Sequence, residues 1–272
     1  MEPTWGPRCG SIEEFLDRAR AEVAIELTTL NPSTGEPAIS HIRAAFARQM
    51  QVVTANKGPI AHAYSALIHE ARVAGVEFRF ESTVMDGAPV FNLVRNNLPG
   101  CKVLGFTGVL NSTTNIVIGA LREGRTLAEG IEDAQKIGIA EADASFDIDG
   151  WDAAAKAAAI ANVLMGANLT PLDVDRRGIG KLTPEKLAEL KAQRKTIRLV
   201  ARARIVADQV KLRVRAEVLD ENDILASVRG TSNILVLDTD LMGDVGTVEL
   251  KPGVEQTAYG VFADVIDIAK TL

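Results

Sequence analysis

The chain has 272 residues, 47% of them apolar and 24% charged, with a formal net charge of −6. That length supports one large or two modest cores. The acidic balance, with no concentrated basic stripe, excludes a nucleic-acid surface, and no uncharged apolar run reaches the ~18 residues of a membrane span, which leaves small-molecule chemistry as the expected class.

Residues 1–6 show no basic segment followed by an apolar stretch, so no export signal is read there. Cys9 and Cys101 lack metal-ligand spacing and read as reduced thiols of a cytoplasmic protein. Ser11, followed three residues later by Glu14 and flanked by Ile12, Phe15 and Leu16, marks a capped helix start. Residues 23–27 then read as a strand, 28–37 as a loop bearing Pro and Gly, 38–48 as a helix, 51–54 as a strand and 59–74 as a helix. Strand, helix, strand, helix is the rhythm of a parallel α/β sheet, and a strand over 76–82 continues it. After that the pattern changes. Residues 102–110 are strand-like, 113–121 and 126–137 helical, 152–167 a long apolar helix and 183–191 a further one. Residues 196–218 alternate apolar and charged side chains, the mark of half-buried antiparallel strands. Residues 234–238 and 246–250 extend that sheet, and 258–270 form a closing helix.

The densest chemistry lies between Ala140 and Lys156. Glu141, Asp143, Asp147, Asp149 and Asp152 precede Lys156 at the start of an alanine-rich helix. Asp152 and Lys156 stand four apart, so both project from one helix face about one turn from each other. A proton-transfer lysine beside its orienting acid is one reading, since burial and neighbouring charge can pull a lysine from about 10.4 toward neutrality. The other is a solvated helix start with an ion pair worth roughly 0.3 to 0.5 kcal/mol. Lys57 ends a strand, where open α/β sheets hold ligands. Ser112 and Thr113 open a helix, where Ser or Thr is first of all a cap. His41, His62 and His69 show no metal spacing.

Four ordered blocks carry a resemblance to a known family: Val52-Val53-Thr54-Ala55-Asn56-Lys57, Glu81-Ser82-Thr83-Val84-Met85-Asp86-Gly87-Ala88-Pro89, Gly108-Val109-Leu110-Asn111-Ser112-Thr113-Thr114-Asn115, and the acid run with Ala140, Glu141, Asp143, Asp147, Gly150, Asp152, Ala153 and Lys156 in register. From about Ala24 onward the chain resembles the homoserine dehydrogenases. The resemblance implies a partial Rossmann-like nucleotide-binding domain over 1–80, with 251–272 packing back on it, followed by an α+β substrate and dimerisation domain over 81–250. It implies reversible NAD(P)-dependent oxidation of L-homoserine to L-aspartate 4-semialdehyde, toward threonine, methionine and isoleucine, by a cytoplasmic homodimer. By the same resemblance Lys156, Asp152 and Lys57 are catalytic, and Glu141, Asp147, Ser112 and Thr113 bind substrate. Thr28, Thr29, Thr54, Asn56, Lys57 and Gly253 face the NAD or NADP, and Glu81, Val84, Asp86 and Ala88 hold a monovalent cation, Na+ or K+. No regulatory domain is expected after residue 272.

The sequence departs from the family in two places. The Val52 block stands much closer to the start than in the family, and no G-x-G-x-x-G occurs in the chain, so the first β-α-β is expected to be absent and the pyrophosphate to lose its N–H donors and helix dipole. The family's glycine-rich closing turn is represented by Pro252-Gly253-Val254. Strand edges are then expected to stand uncovered. The alternative function is a non-catalytic relative that binds an amino acid but no dinucleotide.

Overall fold

In a computed structural model, residues 8–270 are described, so the stretch read for an export signal and the outermost ends of the 1–80 and 251–272 segments lie outside the described residues. The chain builds two sheets. The first has three parallel strands in sequence order, β1 (Val23–Glu26), β2 (Gln51–Thr54) and β3 (Phe78–Arg79). Helix α1 (Ile12–Ala19) precedes them, capped by the Ser11 side chain, which accepts from the Glu14 N–H; α2 (Ala38–Phe46) and α3 (Lys57–Ala74) make the crossovers.

Val52 and Val53 are both wholly buried because β2 is covered on both faces. Val52 packs with Ile39, Ile42, Phe46 and Ile60, whereas Val53 packs with Val261 and Ile268 of the last helix, α9 (Val254–Ala269). Helix α9 therefore returns from the far end of the chain to the first sheet. Strand β1 is one edge of this sheet, and Ile25 and the adjoining Leu27 are exposed there. The strand expected over 76–82 is reduced to Phe78–Arg79, since the backbone turns tightly at Glu81–Thr83 and again at Met85–Gly87.

The second sheet has six strands in the order β5-β7-β6-β4-β8-β9: β4 (Val103–Val109), β5 (Asp175–Arg176), β6 (Lys195–Val206), β7 (Gln209–Asp220), β8 (Asn233–Thr239) and β9 (Gly243–Glu249). All its pairings are antiparallel except that of β5 with β7. The long β6–β7 hairpin closes at Ala207 and Asp208, both at positive φ, the turn geometry that matches strand twist. Helices α4 (Ser112–Arg122), α7 (Trp151–Leu164) and α8 (Pro184–Ala192) lie against β6, while α5 (Leu127–Lys136) packs on α4 and the short α6 (Ser145–Ile148) leads into α7.

Helix α7 explains how the two parts are joined. Ala153, Ala154, Ala155, Ala157, Ala158 and Ala159 are all buried, so the helix is apolar on nearly every side, as a helix enclosed on several faces must be. Their small side chains let α3 approach from one side and β6 and β7 from the other. The first turns of α7 are thereby held at the seam between the two sheets.

Candidate active site

The carboxyl ends of β1 and β2 carry the first group of side chains. The Asn56 side chain caps α3 by accepting from the Gly58 N–H at 3.0 Å, so the helix starts at Lys57 rather than at the expected Pro59. The same Asn56 donates to the Thr28 carbonyl at 3.0 Å. Buried Glu26 ties this end together: one carboxylate oxygen accepts from the Thr28 N–H and hydroxyl, the other from the Thr54 hydroxyl at 2.9 Å. Thr28, Thr54, Asn56 and Lys57 are thus brought together, and Thr29 is exposed beside them. Glu26 went unnoticed in the sequence, although an acid placed two residues before a threonine at a strand end is the available signal.

Lys57 reaches across the seam to α7. Its Nζ lies 3.1 Å from Asp152 Oδ1, and Lys156 Nζ lies 3.1 Å from Asp152 Oδ2, while Lys156 also donates to the Leu110 carbonyl at 2.8 Å. Burial alone would push the Asp152 carboxyl up. The Lys156 and Lys57 ammoniums and the Asn111 amide overcome it and hold that group well below the usual carboxylate range. For Lys156 burial acts downward but Asp152, then Asp86 and Asp147, outweigh it, and its affinity for a proton rises. This corrects the expectation of a lysine drawn toward neutrality: in the ligand-free protein Lys156 is an ammonium.

Asn111, rather than Ser112 or Thr113, is the cap of α4, accepting from the Thr114 N–H at 2.8 Å. Its amide nitrogen reaches Asp147 Oδ1 at 2.6 Å and Asp152 Oδ2 at 2.9 Å. Ser112 donates to the Thr231 carbonyl, and Thr113 is buried beside Asp147. Burial and the nearby Asp152 charge push Asp147 up, opposed by Asn111, Thr113 and Lys156. A cavity of about 210 Å³ opens over these groups, lined by Asp86, Ser112, Thr113, Asp147, Asp152, Lys156, Gly253 and Thr257 among others. Glu141 is exposed on the loop before α6 and does not line it.

The turn carrying the acids is strapped from behind. Gly150 stands at φ +82° directly before α7, a conformation that favours glycine. The segment after β5 lies on that turn: Ile179 donates its N–H to the Ile148 carbonyl at 2.8 Å, and Arg177 donates to the Val214 carbonyl at 2.8 Å. A β-carbon on Gly178 would overlap the Ile148 carbonyl and the Asp149 backbone. The Arg176 guanidinium lies 3.7 Å above the Trp151 ring. Gly178 thus serves packing.

Two other acids differ from expectation. Glu81 accepts the backbone N–H groups of Val90, Phe91 and Asn92 at 2.5, 2.8 and 2.7 Å, using both carboxylate oxygens to cap the helical segment that follows. Val84 is buried in extended backbone, the Asp86 side chain accepts from the Thr257 hydroxyl at 3.3 Å, and the Ala88 N–H donates to the Met85 carbonyl. With both of its oxygens accepting backbone N–H groups, the Glu81 carboxylate serves as a cap. Glu249, at the end of β9, was not singled out in the sequence. Burial, then the Asp86 charge, pushes its carboxyl up to about 7 against the pull of Lys156. No local pattern reveals it, because the β8–β9 register that pairs it with Asn233 places it there.

A family model for homoserine dehydrogenase matches residues 89–266. The chain is 37% identical over 269 residues to the homoserine dehydrogenase of Methanocaldococcus jannaschii, covering 98% of this chain and 78% of that protein. It is 36% identical to the NAD(+)-dependent homoserine dehydrogenase of Pseudomonas canavaninivorans, over 94% of this chain and 73% of that protein. Among solved structures, a hyperthermophilic archaeal homoserine dehydrogenase in complex with NADPH superposes with a TM-score of 0.83 at 29% identity, over 99% of this chain and 78% of that one.

Proposed function

The chain belongs to the homoserine dehydrogenase family, and from that premise we propose that it catalyses reversible NAD(P)-dependent oxidation of L-homoserine to L-aspartate 4-semialdehyde in the cytoplasm. The observation that carries this reading is the Lys57–Asp152–Lys156 cluster at the cavity where the two sheets meet. What NAD or NADP supplies when bound is a two-electron acceptor for the C4 hydride. Lys156 gives its proton to the aldehyde oxygen in the reducing direction and takes the C4 hydroxyl proton in the oxidising one. Because Lys156 is an ammonium in the ligand-free protein, it stands ready as the acid, and oxidation first requires it to release a proton. Asp152 fixes both lysines. Asp147 takes the substrate's α-ammonium at the cavity wall, with Ser112 and Thr113 beside it; Glu141 would join only by a movement of its exposed loop.

Thr28, Thr29, Thr54, Asn56, Lys57 and Gly253 are assigned to the nicotinamide end of the cofactor. The fit is supported by the gathering of Thr28, Thr54, Asn56 and Lys57 at the carboxyl ends of β1 and β2, where open α/β sheets hold ligands. The second reading is a protein that binds the amino acid without the dinucleotide. Titrating the chain with homoserine and separately with NAD and NADP, and then assaying turnover, tests both.

A homodimer belongs to the same reading, supported by the face of the six-stranded sheet turned away from α7. There Arg202, Arg204, Lys211 and Arg213 give β6 and β7 a basic half, while Asp238 and Asp244 give β8 and β9 an acidic one, with Val206 and Val248 exposed. A two-fold axis through β4 would lay each half on its opposite in a second copy.

A further inference from the structure

Asp147 and Asp152 approach the same small space from the end of α6 and the first turn of α7. Two carboxylates so placed ordinarily cannot both stay ionised: one takes a proton, as in carboxylate dyads. On the proposed reading both must carry charge, Asp152 to hold the lysines and Asp147 to meet an ammonium.

We propose that Asn111 is the positioning residue of this acid pair, its side-chain amide placing one hydrogen on each carboxylate and so keeping them at a fixed separation with both charged. A primary amide has two donor hydrogens and one acceptor oxygen. Here the nitrogen meets Asp147 Oδ1 at 2.6 Å and Asp152 Oδ2 at 2.9 Å, and the oxygen accepts from the Thr114 N–H at 2.8 Å. Both donor hydrogens are used, and the residue is 3% exposed, so water does not compete for them. The cap sets where α4 begins and, through one planar group, where the two acids stand. The α4 start is itself tied to the turn before β8 by Ser112 on the Thr231 carbonyl and Asn115 on the Ser232 carbonyl. The other charged groups that face the pair are Lys57 and Lys156, both on Asp152, and Asp86 from the turn before Gly87, which lines the same cavity. Asn111 is thus the neutral donor shared between the two acids.

The inference rests on the proposed reaction only for its consequence on turnover, and the test separates the two. Asn111→Ser keeps an oxygen that can cap α4 but offers a single donor hydrogen. Carboxyl-carbon NMR, with Asp147 assigned through Asp147→Asn, should show the Asp147 midpoint moving up in Asn111→Ser. Where the chain turns over homoserine, KM should rise about ten- to a hundredfold, the scale of one hydrogen bond to a charged group, and the pH profile should shift with the midpoint. An unchanged Asp147 midpoint in folded Asn111→Ser overturns the proposal. If that variant does not fold, the wild-type protein decides: the Asn111 side-chain amide protons should move with the Asp147 titration, and signals indifferent to it overturn the proposal. A wild-type chain without turnover whose Asn111 signals still follow Asp147 would refute the dehydrogenase reading and leave this one standing.

Discussion

Lys156 Nζ stands 3.1 Å from Asp152 Oδ2 across a single turn of α7, with Asp152 only 7% exposed. At such depth the two partners are not equivalent. Lys156→Ala leaves Asp152 still paired with Lys57, so the fold should hold while homoserine-dependent turnover falls by about 10²–10⁴, the range of a lost proton-transfer group. Asp152→Asn strands two ammoniums and should cost about 3–5 kcal/mol of stability, as breaking a buried pair does. Thermal unfolding beside initial rates checks both.

The same cluster sets the pH dependence of folding. The proton affinity of Asp152 is lower in the folded state than its ordinary 3.8, so the stability it confers is fully present above that pH and is lost as pH falls below it. Lys156 is raised above 10.5, so its contribution is full below that pH and is lost as pH rises through the folded value. Glu249 has the opposite sign to Asp152. Raised from 4.5 to about 7, it favours the fold while protonated, and that advantage disappears as pH rises from the first value through the second. Between those two values, wild-type melting temperature should therefore fall relative to Glu249→Gln; parallel curves for the two proteins would refute the assignment.

Gly178→Ala tests the strap behind the acid run. The added β-carbon meets the Ile148 carbonyl and the Asp149 backbone, not a flexible side-chain end that could swing away. Overpacking of this kind should cost about 1–3 kcal/mol. Because the displaced turn carries Asp147, affinity for homoserine should weaken along with the melting temperature. Calorimetric titration reads the affinity, and wild-type affinity in Gly178→Ala would show that the strap does not govern the acids.

Reversing one charge on the outer sheet face tests the dimer. Asp244→Lys sets like charges against the basic half of a second copy, so it should shift sedimentation toward the monomer, more so at low salt. An unchanged sedimentation profile would place the interface elsewhere.

The sequence was most legible where structure is local. The strand at 51–54, the cap at Ser11, the apolar α7 and the alternating hairpin strands follow from spacing and periodicity alone, and the structure has them. Reading failed where a side chain bonds across a distance in sequence. Glu81 shortens a strand by capping residues nine to eleven positions later, and Asn56 and Asn111 take the caps that a search for Pro, Ser and Thr assigned to their neighbours. In the site, the helical spacing of Asp152 and Lys156 was visible. The charge on Lys156 was not, because it depends on Asp86 and Asp147 as well as on its own burial. Glu26 and Glu249 belong to the same class of residues, placed by strand register and loop closure.

The most direct measurement is homoserine-dependent reduction of NAD and of NADP by this 272-residue chain at high cofactor concentration, beside Lys156→Ala. Turnover with at least one cofactor, lost in the variant, is the expected result. Folded wild-type protein that binds homoserine yet reduces neither cofactor, or a Lys156→Ala variant as active as wild type, would contradict it.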